Sequence, residues 1–149
     1  MQTFLPLPGY LRSARVLDDK RLGKQRVECK QILRALGVPV GGVVGKGGWR
    51  HHPAVKMWRG HEYSLACYSI AVCEEWRRRG HSDSLLPQFE QAASATYSSG
   101  STARPAFVGD DQFHASHRSN LLRKDAQHYG QFAWSESADL PYVWPQGGE

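Results

Sequence analysis

Residues 17–36, LDDKRLGKQRVECKQILRAL, decide how this chain is read. Asp18 and Asp19 stand where carboxylates complement a helix N-terminus, and no proline follows until Pro39. At ~100° per residue, Leu22, Cys29, Leu33 and Leu36 fall on one stripe, with Ile32 at its edge. The pattern predicts a long amphipathic helix with that stripe in the core. Glu28 projects off the side of the stripe. Its neighbours on the wheel are Arg21, Lys24, Gln25 and Gln31, with Lys20 beyond them. One carboxylate therefore stands in a basic field beside a buried face. A solvated helix with an i,i+4 pair between Lys24 and Glu28, worth roughly 0.2–0.5 kcal/mol, already accounts for this much.

The 149 residues have the length of a single domain, and 40% apolar content with five tryptophans suits a folded core. No apolar run approaches a membrane span. The first residues lack a basic head followed by an apolar core, so no secretory signal is expected. Three cysteines, Cys29, Cys67 and Cys73, share no CxxC spacing, which suits a reducing cytoplasm and gives no zinc signature. A net charge of +5 and a pI near 9.3 favour a polyanionic partner. Nucleic acid is the first candidate, because the basic residues are clustered among aromatic and histidine side chains.

Outward from the central helix, residues 1–16 open extended: Pro6 and Pro8 block a helix, and Phe4, Leu5 and Leu7 supply apolar surface to pack this arm onto the body. Gly37 is placed to stop the central helix, and VPVGGVVGKGG (38–48) makes a flexible loop without the order of a Walker A motif. That loop delivers Trp49, Arg50, His51 and His52. Pro53 suits the first position of a second helix running to about Arg79, closed by a basic last turn and Gly80. Residues 81–105 are rich in Ser, Ala and Thr and read as a surface excursion with about one helical turn. Asp110 can cap a third helix to about Tyr129, on which His114, His117 and Arg118 share a side. The tail has no helical period, and its aromatics Phe132, Trp134, Tyr142 and Trp144 are expected to lie against the body or a ligand. The whole predicts a compact all-α single domain with a three-helix core, an extended N-terminal arm and an aromatic C-terminal tail.

Known catalytic signatures are absent: there is no GxSxG, no Rossmann fingerprint and no kinase set. The histidines do not form HExxH, and no cysteine or carboxylate spacing completes a metal set with them. Three basic segments remain, around Glu28, at WRHHP (49–53) and at HRSNLLRK (117–124). Packed as a bundle, three helices can bring them onto one strip that neutralises phosphates. A carboxylate inside such a strip repels those phosphates. It makes better sense as a catalyst acting through a cationic sugar intermediate.

These residues carry a resemblance to the pyrimidine-dimer DNA glycosylase family. SIAVCEEWRRRGH (69–81) resembles the family's helix that ends in an acidic, bulky, basic run before Arg-Gly. HHPAV (51–55) resembles the HP-containing segment that opens that helix in bacterial relatives. The first long helix, with its glutamate among basic residues, matches more loosely, and the similarity covers residues 1–82. The resemblance implies an all-helical enzyme acting without metal or other cofactor. In such enzymes the N-terminal α-amine attacks the sugar C1′ to give a Schiff base, a helix-one glutamate assists, and β-elimination then cuts the strand. An α-amine suits this role because part of it is neutral at pH 7.

Carried over, Glu28 takes the glutamate's role. Gln2 is too large for efficient methionine removal, so the amine would be that of Met1, with Lys24 or water as other nucleophiles. Shifting the alignment by three residues puts Gln25 at the glutamate's position. DNA contacts are expected from Lys20, Arg21, Lys24, Gln25 and Arg26, from Arg50, His51 and His52, and from His117, Arg118, Arg123 and Lys124. The expectation is a monomeric cytoplasmic DNA glycosylase on duplex DNA, with possible strand-cutting lyase chemistry and no membrane partner. Its rivals are a non-catalytic DNA-binding module and a metal-dependent nuclease built from histidines with Asp18, Asp19 or Asp110.

Overall fold

The computed structural model of the protein describes residues 1–145. Among them are α1 (Tyr10–Val16), α2 (Asp19–Ala35), α3 (Pro53–Lys56), α4 (Glu62–Arg78), α5 (Leu86–Tyr97), α6 (Asp111–Lys124) and α7 (Ala126–Tyr129), with no strand. The chain is a compact all-α domain. α4 is its axis, packed against α1, α2 and α5. The stripe anticipated on α2 is buried at Leu22, Cys29, Ile32 and Leu33, and Gln25 joins it. Asp18 caps the helix by accepting the Arg21 backbone N–H at 3.3 Å.

α2 and α4 approach closely at Gly23. A β-carbon there would lie 2.9 Å from the Trp76 ring, so only glycine allows this spacing. The same region explains the arginine run that ends α4. Arg78 and Arg79 both clamp Glu75, whose side chain is fully buried, with Nε–O distances of 2.7 and 2.9 Å. Arg79 also reaches Asp19 on α2 at 2.8 Å.

Three sequence expectations need correction. The helix expected over 53–79 breaks between α3 and α4, because Gly60 adopts a left-handed φ of +84° and turns the chain. The helix expected over 110–129 breaks at Asp125, whose extended backbone (φ −155°, ψ 80°) ends α6 while its side chain starts α7 by accepting the His128 N–H. The excursion at 81–105 contains α5, which buries Phe89, Ala92 and Thr96 against α4. Small and polar residues on its outer face hid the helical period.

The arm, residues 2–6, is buried with no strand beside it. Side chains therefore pair its backbone. Gln25 accepts the Phe4 N–H at 2.9 Å and donates to the Gln2 carbonyl at 2.7 Å. Tyr68 donates to the Phe4 carbonyl, and Trp58 Nε1 donates to the Thr3 hydroxyl at 3.0 Å. Two α6 histidines hold both sides of Leu5. His117 Nδ1 accepts its N–H at 2.9 Å, and His114 Nδ1 donates to its carbonyl at 2.7 Å. His114 Nε2 accepts the Gly109 N–H, which fixes that neutral tautomer.

Two measurements check this fold. Phe89→Ala should lower unfolding free energy by about 3–5 kcal/mol in denaturant titration, as for a core position; a surface excursion would show almost no change. Burial holds the His117 imidazole at about 3 and shifts His114 in the same direction. The unfolded chain, with ordinary imidazoles near ~6.5, takes up protons first as pH falls. Stability contributed by the neutral pair is thus complete above about pH 6.5 and declines toward pH 3, by up to about 1.4 kcal/mol per pH unit for each proton. His117→Gln should flatten that decline.

Candidate active site

Where the arm meets α2 a cavity of about 330 Å³ opens, lined by Met1, Gln2 and Phe4 of the arm and by Lys20, Arg21, Lys24, Gln25 and Glu28 of α2. Lys124 at the end of α6 and the tail residues Tyr142 and Trp144 close the opposite side. Helical periodicity explains the α2 contribution: Lys20, Lys24 and Glu28 recur at four-residue steps on one face, beside the buried Gln25.

Glu28 is the sole carboxylate among the lining residues. Its side chain is 12% exposed, and Oε2 accepts the Gln2 backbone N–H at 3.1 Å. Oε1 faces the Lys24 ammonium at 3.7 Å, while Lys24 itself stays 73% exposed. One oxygen is therefore tied to the arm and the other points toward a solvent-exposed cation. The Gln2 bond also sets the carboxylate one residue from the Met1 amine.

His52 sits at the rim. It caps α3 by accepting the Ala54 N–H on Nδ1 at 3.0 Å, and its ring meets Trp144 edge-on at 6.4 Å. Partial burial, then the positive amine at residue 1, hold its imidazole below the ordinary value, against the opposing pull of Glu28. Trp49, 53% exposed, meets the other edge of His52 at 6.0 Å. The glycine-rich loop thus delivers its aromatic and basic residues beside the cavity. Arg50 and His51 are exposed, with the Arg50 guanidinium donating to the His51 ring.

Of the residues expected to act here, Met1, Lys20, Arg21, Lys24, Gln25, Glu28 and Lys124 converge. Gln25 lines the cavity, but it is 1% exposed and both ends of its amide are spent on the arm. Arg21 is anchored to Asp18 at 3.1 Å. Three of the residues expected at DNA are engaged within the fold. Arg26 turns away to Asp83 and covers the Trp76 ring at 5.2 Å. His117 is 1% exposed and bonded to Leu5. Arg118 pairs with Glu136 at 2.8 Å and the Pro6 carbonyl at 2.9 Å. Each meets a partner distant in sequence that neutralises or buries it. Arg123 is exposed but donates to the tail carbonyl of Ala138. Sequence reasoning did not put Gln2 or Phe4 in the site; their signal was the pairing of an apolar arm with polar positions on α2. Among the described residues, no three His, Cys, Asp or Glu side chains group as metal ligands.

Residues 1–86 match the family described as pyrimidine dimer DNA glycosylase. No curated protein matches the chain, and no solved structure does. The matched span includes the arm, α2, the glycine-rich loop and α4, hence every cavity residue except Lys124, Tyr142 and Trp144. Lys24→Ala and Lys124→Ala should each weaken duplex DNA binding and lower the slope of log K against log salt by about 0.9, as loss of one phosphate contact does. Arg26→Ala should leave that slope unchanged in fluorescence titration across a salt series.

Proposed function

The chain belongs to the pyrimidine dimer DNA glycosylase family, and we propose that the cavity between arm and α2 is where a damaged or modified pyrimidine is cut from duplex DNA. The protein is a DNA glycosylase. The observation that carries the proposal is the Glu28 carboxylate, held by the Gln2 N–H in a cavity whose other charged lining groups are cationic. A site built only to hold phosphate gains nothing from that charge. An oxocarbenium-like sugar does.

In this reading Lys20, Lys24 and Lys124 bind phosphates on either side of the extruded nucleotide, with Arg50 and His51 extending the contact. Extrusion costs a few kcal/mol, offset by those contacts and by stacking in the site. The Met1 amine, in its neutral form, attacks C1′ as the C1′–N bond breaks and its electron pair leaves with the base. Glu28 takes the amine's proton and passes it to the ring oxygen O4′ as the C1′–O4′ bond breaks and the amine's electron pair forms the C1′=N bond, while the departed base anion is protonated by solvent. The resulting protonated Schiff base makes the neighbouring C2′ proton acidic; the Glu28 carboxylate takes it, the C3′–O bond breaks, and the 3′ phosphate leaves, cutting the strand.

Glu28→Gln should reduce single-turnover base release by roughly 10²–10⁴-fold while leaving duplex affinity equal or higher. Wild-type binding with no base release from any damaged duplex would instead make the protein a binding module. Borohydride reduction during turnover should give a covalent protein–DNA adduct whose mass-mapped site is Met1. An adduct at Lys24 moves the nucleophile there, and base release without an adduct makes water the attacking group and removes the lyase step.

A further inference from the structure

We infer that the Trp49 indole enters the DNA helix at the place vacated by the extruded pyrimidine and stacks there on the neighbouring base pair, an assignment that rests on the glycosylase reading above. Of the five tryptophans, Trp58 is buried and Trp76, Trp134 and Trp144 lie against the core, whereas Trp49 is 53% exposed. A single apolar side chain at a surface needs no explanation by itself. Trp49, however, ends a row of rings that starts in the cavity. Tyr142 and Trp144 line the cavity wall with centroids 5.6 Å apart, Trp144 meets His52 at 6.4 Å, and His52 meets Trp49 at 6.0 Å. The indole is thus two rings from the wall and outside the cavity. It is placed for the helix that remains, not for the base that has left it.

The segment that carries Trp49 selects the partner. From Cys29 to His61 the chain has no carboxylate, while Lys46, Arg50, Lys56 and Arg59 are all exposed. Both roots of the loop are fixed. The Gly45 N–H donates to the Arg34 carbonyl at 2.9 Å, and on the far side His52 caps α3 by accepting the Ala54 N–H at 3.0 Å. Between them Gly47 takes a left-handed φ of +90°, and the His52 N–H returns to the Trp49 carbonyl at 2.9 Å. A cationic loop that presents an aromatic ring suits a polyanion whose interior is a stack of π-faces. An acidic protein partner would satisfy the cations but gives no reason for a row of rings continuous with the cavity. Extruding a base leaves its neighbours unstacked, and an indole can cover one of those exposed faces. Stacking there favours the extruded state over the paired one, which raises the share of bound DNA that is ready to react.

The test measures affinity for two duplexes of one sequence by fluorescence anisotropy at fixed salt, with wild-type protein, Trp49→Ala and Trp49→Phe. One duplex is undamaged. The other carries a tetrahydrofuran abasic analogue, in which the place for the indole is already empty and no base can be released. Wild-type protein is expected to bind the analogue at least about 10-fold more tightly, since stacking on one aromatic ring is worth roughly 5–150-fold in affinity. Trp49→Ala is expected to lose that preference, and Trp49→Phe, which keeps an aromatic face, to retain most of it. Absence of a preference in the wild type overturns the inference. Equal losses by Trp49→Ala on both duplexes make the indole a general contact, and no loss on either leaves it to another partner; both overturn the inference as well. The glycosylase reading is decided separately, on a duplex carrying a cyclobutane pyrimidine dimer. Wild-type protein that releases no base from it sinks that reading, whatever the variants do on the analogue.

Discussion

An extended segment buried without a neighbouring strand is the constraint on which the rest of this structure depends. Each unpaired N–H or C=O inside a protein costs about 1–3 kcal/mol, and the arm brings several of them into the core at once. Gln25, Tyr68, His114 and His117 supply the missing partners from α2, α4 and α6, and Trp58 in the turn after α3 holds the Thr3 hydroxyl. Polar side chains in the core are thus the means by which helices far apart in sequence agree on one arrangement. The arm also carries the site, because the bond from Gln2 to Glu28 is one more member of the same set. The arm's placement and the carboxylate's orientation therefore rest on one set of hydrogen bonds.

That dependence explains what could be read from the sequence. α2 was legible because Leu22, Cys29, Ile32 and Leu33 repeat with helical period and Asp18 caps them. The arm's burial was legible from Phe4 and Leu5. The polar members were not. Gln25, His114 and His117 look like surface residues on a wheel, and only the backbone of a segment over 20 or over 100 positions away makes them core. α5 failed for the opposite reason: its buried set, Phe89, Ala92 and Thr96, offers little hydrophobic contrast to the small residues around it. Local pattern reports the apolar half of a core well and the polar half hardly at all.

The site divides along the same line. Lys20, Lys24 and Glu28 could be grouped from the sequence because one helix spaces them along the face that lines the cavity. Tyr142 and Trp144 could be named only as aromatics in search of a surface. The partners of Arg26 and Arg118 could not be read, since a guanidinium in a basic sequence segment says nothing of the Asp83 or Glu136 that pairs with it.

The charges of the chain are sorted by type. Arginine makes the structural pairs: Arg26 with Asp83, Arg78 and Arg79 with Glu75, Arg118 with Glu136, Arg21 with Asp18. Its planar fork meets a carboxylate with two aligned hydrogen bonds and tolerates partial burial. Those pairs consume many of the carboxylates. Lys20 and Lys124 line the cavity and form no ion pair among the described residues, and Lys24 has only the carboxylate of Glu28. A solvated ammonium on a flexible stem adjusts its position more freely than a locked guanidinium can. The net charge of +5 is therefore not spread evenly. Pairing these arginines within the fold while Lys20 and Lys124 stay unpaired leaves positive charge at the cavity mouth, beside the Glu28 carboxylate.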